Sequence, residues 1–183
     1  LEPWALARLA AAYAALLGNP QFDKGEIRGR VCGLLEKLGG PLRVLAEARA
    51  LPYFARRKLE PCGGGSLAQR IEELQKELGR VSVGDEQVGK YLRSISLAEP
   101  ERALEKHVGG LRANLTYSLA YQKRDEGNLE EAKKRFEEAA LEFRELGREL
   151  VVNYFMARLY ALSCEALQAE ELGKLVEGLR GLE

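Results

Sequence analysis

One histidine, one methionine and one tryptophan stand among 183 residues, and the three cysteines, Cys32, Cys62 and Cys164, lie far apart with no Cys-x-x-Cys pair. A zinc centre draws its ligands from closely spaced cysteine and histidine pairs, and no such spacing occurs here, so no metal or cofactor is expected. His107 sits in no local Ser-His-Asp or Cys-His pattern. It reads as a surface histidine near a helix end. Neither sign of charge prevails: Lys plus Arg and Asp plus Glu both count 28. A neutral chain is a poor match for nucleic acid or an anionic membrane as its main partner. The longest apolar run, Leu1 to Leu17, is broken by Glu2, Pro3 and Arg8. It is too short to span a bilayer and lacks the basic start of a signal peptide, so a buried helix in a soluble, cytoplasmic protein is expected. A first residue of Leu is what a trimmed chain would show.

Glutamine and asparagine are sparse while Glu, Arg, Leu and Ala abound. That is the composition of a helix-rich protein with a bias like that of hyperthermophile proteins. The cysteines then have two readings. One is three reduced thiols, two of them packed in helices. The other is a single disulfide, with Cys32–Cys62 as the pair, since intracellular hyperthermophile proteins carry such bonds.

Helix signals recur from end to end. Pro3 opens a helix that Gly18-Asn19-Pro20 closes. Asp23 with Glu26, and Ser66 with Gln69, form capping-box patterns, and Asp85 and Asn128 are further caps. Pro52 is expected to kink or split the helix from Leu42 to Leu59. Pro61-Cys62-Gly63-Gly64-Gly65 reads as a linker between an N-terminal lobe, 1–60, and helical hairpins over 66–183, or as a turn within one continuous domain. Gly109-Gly110 reads as a break. Leu129, Ala132, Phe136, Ala139, Ala140, Phe143 and Leu146 share one helical face. The stretch from Glu149 to Leu167 is apolar nearly all round and is expected to lie buried between neighbours, with a last helix over Ala169 to Leu182. No alternating strand pattern of any length occurs. The expected fold is all-α, with nine to ten helices.

From Leu111 onward the chain resembles the tetratricopeptide-repeat family, whose antiparallel helix pairs meet at small residues. Leu119-Ala120, the Gly127-Asn128 turn, Ala132, Phe136 and Ala139 fall on the repeat's small and aromatic positions. Thr116, Lys123 and Arg144 depart from its aromatics and closing proline. A second copy, shifted by 40 residues, sets Leu159-Tyr160 on Leu119-Ala120 and Val176 on Phe136. Glu77-Leu78-Gly79-Arg80 echoes Glu145-Leu146-Gly147-Arg148. The resemblance implies a right-handed superhelix that is not an enzyme and that binds a protein or peptide through its first helices. The positions carried over are Asn114, Tyr117, Tyr121 and Arg124, spaced three, four and three apart on one face. The competing reading is that both tyrosines pack on a neighbouring helix. The apolar first helix would cap the stack within the chain or across a homodimer.

Two other functions stay open. Arg56, Arg57 and Lys58, beside Tyr53 and Phe54, could grip phosphates and stack on bases. A helical bundle could also hold a ligand, or act as an enzyme, in a pocket that local sequence does not reveal. Gly63-Gly64-Gly65-Ser66 has no phosphate-loop ending. The adjacent glutamates at 72–73, 137–138 and 170–171 read as solvated faces rather than acid–base pairs.

Overall fold

The computed structural model describes the backbone of residues 1–180 and the side chains of residues 1–173. Among the described residues the chain is all-α, with eight α-helices and one 3-10 turn at Arg148–Leu150. They are α1 (Pro3–Leu16), α2 (Lys24–Leu35), α3 (Gly40–Arg56), α4 (Leu67–Leu78), α5 (Glu86–Ile95), α6 (Pro100–Asp125), α7 (Leu129–Glu145) and α8 (Val151–Arg180). The caps read from sequence are made. Asp23 accepts from the Glu26 amide, Ser66 from Gln69, Asp85 from Gln87 and Val88, and Asn128 from Glu131.

Eight helices rather than nine to ten arise from two fusions. Gly109-Gly110 does not break α6. Each glycine costs a helix about 1 kcal/mol, but Ala103, Leu111 and Leu115, at helical spacing across the pair, are all buried. A continuous buried face outweighs two weak residues. Similarly, α8 runs through Gln168, where no breaker occurs. Pro52 lies inside α3 without ending it. The last helix of the sequence reading ends at Leu182, beyond the described residues, as does the side chain of Val176.

The chain divides into two compact units, Leu1–Ser118 and Leu119–Glu183. In the first, α1 packs on α2, α3 and α5, and α4 packs on α3. Ala7, Ala10 and Ala14 of α1 are fully buried, so small side chains let neighbouring backbones approach. Across the α3–α4 contact, Arg70 Nε and Nη2 donate to the two oxygens of the buried Glu47 carboxylate, both at 2.8 Å. Glu73 and Glu77 also accept from Arg70. The Arg70 guanidinium is held charged chiefly by its hydrogen bonds to Glu47.

Cys32 and Cys62 are joined in a disulfide with their Cα atoms 5.2 Å apart, so the reading of three reduced thiols is corrected. The turn after α3 carries Cys62 back to α2, and Arg28 fastens the same turn by donating to the carbonyls of Glu60 and Pro61, both at 2.9 Å. Cys164 is a free, buried thiol.

In the second unit, α7 packs along α8. Gly127, at φ 81°, makes the turn before α7 in a conformation that favours glycine. Ala120, Ala132 and Ala139 are fully buried, and Phe136 is buried with them.

Candidate functional site

Two surfaces stand out, one in each unit. In the first unit, Arg49, Pro52, Tyr53 and Arg56 recur at intervals of three, one and three, which is one stripe along α3. Together with Ala48 they face Leu111 and Asn114 of α6 across a cleft of about 130 Å³. Arg49 and Arg56 are exposed and have no carboxylate partner among the described residues. No acidic side chain lines the cleft, so its two guanidiniums set a positive potential over an apolar floor of Ala48, Pro52 and Leu111. The Asn114 amide donates to the Gly110 carbonyl at 2.8 Å, which fixes its direction.

One turn before Leu111 on the same face of α6 is His107. Its Nε2 lies 3.2 Å from the hydroxyl of the buried Tyr91, with the rings 5.5 Å apart. Desolvation, aided by the positive charge of Arg49, pushes the imidazole down to about 4. Burial likewise raises the Tyr91 phenol. The expected surface histidine is therefore a half-buried, neutral one in mid-helix.

The four positions carried over from the repeat family have different surroundings. Asn114 lines the α3–α6 cleft, and Tyr117 is buried. Tyr121 meets Phe136 edge-on at 5.3 Å and Tyr160 at 4.9 Å, and Phe136 and Tyr160 stack at 5.4 Å. Arg124 lies over the rings of both Tyr121, at 4.7 Å, and Tyr160, at 5.3 Å. Such cation–π contacts strengthen when partly desolvated. Of the basic cluster, Arg56 enters the cleft. Arg57 is half-buried, with its Nε shielded and without a hydrogen-bond partner, and Lys58 lies past the end of α3 at φ 54°. Consecutive residues on a helix point about 100° apart, so these three do not share a face.

The second surface is on α8. Ala157, Ala161 and Cys164 form its buried side. Opposite them, Val151, Val152, Phe155, Met156, Leu159 and Leu162 are exposed, Phe155 at 63% and Leu159 at 59%. At about 100° per residue these six span a band roughly 140° wide. Ala166, Ala169 and Gly173 continue the same band toward the C-terminal end and are also exposed. The expectation of a helix buried all round is thus corrected: one side of α8 is covered by α7 and the other is open. Periodicity cannot distinguish a helix with two covered faces from one with a single covered face.

Among the described residues, no group of three or more His, Cys, Asp or Glu side chains converges as a metal site. No described helix is long and apolar enough to cross a membrane. No family model, curated protein or solved structure matches the chain. Sequence reasoning passed over Arg49, although its spacing of seven from Arg56 is a helical-face signal. The convergence with α6, some sixty residues on, had no local trace.

Proposed function

We propose that this chain is a non-enzymatic protein-interaction module, built on a tetratricopeptide-like hairpin, that associates through the open face of α8. The exposed apolar band of α8 carries this reading. Its six large side chains present roughly 600 Å² of apolar surface, which matches one partner's share at the lower bound of a specific interface. Isolated exposed leucines are ordinary, but a contiguous band of this size is at the upper end of what a monomer exposes and supports an association site.

The occupant is the α8 of a second copy, lying antiparallel. Large apolar residues fill the first half of the band; in the second half Ala166, Ala169 and Gly173 line one side and the exposed Glu170 the other. A two-fold axis near Leu162 sets Phe155 against Ala169 of the other copy, Leu159 against Ala166 and Val152 against Gly173. Bulk then meets space at these three pairs. The rims agree: Arg158 and Glu165 lie seven apart along one edge, so the same axis pairs each with its opposite charge. Glu165 already bridges to Lys133 at 3.2 Å, which fixes its place.

Sedimentation of the wild-type chain should show a dimer that Phe155→Glu reduces to a monomer with unchanged helicity. Ala169→Phe should weaken self-pairing, and adding Phe155→Ala to it should restore it. A wild-type chain still monomeric at about 100 µM, where even a modest interface of this area associates, overturns the self-pairing. A double variant no tighter than Ala169→Phe alone overturns the register.

A further inference from the structure

We propose that the α3–α6 cleft of the first unit is a binding site for a small molecule bearing a carboxylate or phosphate, gripped by the Arg49 and Arg56 guanidiniums with the Asn114 amide and Tyr53 beside them. It is a separate site from the α8 band, and rests on different observations.

Three features carry it. First, neither arginine has a carboxylate partner among the described residues, and both are exposed beside the cleft, so their head groups are available to an anion. Arg49 and Arg56 lie two turns apart along α3, so their head groups can reach one oxyanion from either side. Second, the cleft, at about 130 Å³, holds a small head group and a short apolar body but not a nucleotide. Ala48, Pro52 and Leu111 supply an apolar floor for that body. Third, no lining residue is acidic, so an arriving anion meets no opposing charge. The polar groups few and convergent over an apolar base are the usual composition of a ligand site. A stretch of nucleic-acid backbone would need a longer run of cations than these two.

His107 reports on the site. It is the only histidine in the chain, it lies one turn from Leu111, and it already feels the charge of Arg49. Its Cε1–H resonance is therefore a single, assigned NMR signal at the edge of the cleft. The experiment follows that signal at pH 7 during separate titrations with inorganic phosphate, sodium butyrate and sodium chloride at matched ionic strength. A saturable shift is expected with one or both oxyanions and not with chloride. A response to phosphate alone identifies the head group as a phosphate, and a stronger response to butyrate identifies it as a carboxylate on an apolar body. Arg56→Gln should weaken binding about tenfold, the loss of one charge-assisted hydrogen-bonded contact. Lys58→Gln, next along but outside the cleft, should leave it unchanged. Both positions are exposed, so circular dichroism should show folded protein in each case. Oxyanion shifts no larger than those of chloride, or binding unaffected by Arg56→Gln, overturn the proposal.

Discussion

Acidification should loosen the first unit through one side chain. Unfolded, the His107 imidazole titrates near 6.5; in the folded chain desolvation against Tyr91 and the Arg49 charge hold it at about 4. The folded-state value is the lower of the two, so the unfolded chain binds the extra proton first. The stability that follows from this difference is complete above about pH 6.5 and is lost as pH falls toward 4. Linkage gives a loss of about 2 kcal/mol between pH 7 and pH 5, approaching 3 kcal/mol near pH 4. That is a large share of the stability of an ordinary domain. Because carboxylates also respond to acid, the measurement compares wild type with His107→Gln, which keeps a polar group toward the Tyr91 hydroxyl yet cannot gain the proton. Urea unfolding at pH 7, 6 and 5 should show the wild type falling more steeply by about 2 kcal/mol over that range. Parallel pH profiles for the two proteins would refute the reasoning, since they would mean that His107 is as well solvated in the folded chain as in the unfolded one.

Arg70→Ala should cost about 3–5 kcal/mol in urea unfolding, because it leaves the buried Glu47 carboxylate with only Arg43, at 3.9 Å; a loss below about 1 kcal/mol would show that water reaches Glu47. Replacing Arg70 and Glu47 together by Met and Leu should recover most of that loss, since the buried charge is then gone. Reduction of Cys32–Cys62, which closes a loop of 30 residues, should lower stability by about 3–4 kcal/mol in the chain-entropy account. A thermal melt with and without reductant measures it, and a Cys62→Ser variant should match the reduced protein.

Where one helix face met one neighbour, the sequence was easy to read. Of the face read by spacing, Leu129, Ala132, Phe136, Ala139, Ala140 and Phe143 are buried, while Leu146, at the helix's C-terminal cap, is half-buried. The caps at Asp23, Ser66, Asp85 and Asn128 were equally legible, because a cap is a bond between residues two or three apart. Reading failed where local and tertiary effects compete. Gly109-Gly110 weakens a helix locally, yet α6 continues because its buried face does. Val151 to Leu162 looked like a core helix because hydropathy records what a side chain prefers and not whether anything covers it. The cleft at Arg49, Arg56 and Asn114 depends on two helices far apart in the chain, and no window of sequence contains both.

The Cys32–Cys62 bond encloses the whole of α3, which carries Glu47, Arg49 and Arg56. A protease that cuts once between those cysteines therefore releases nothing. The two pieces stay tethered and migrate as one species until a reductant parts them, so nicked and intact protein are indistinguishable by mass on a non-reducing gel.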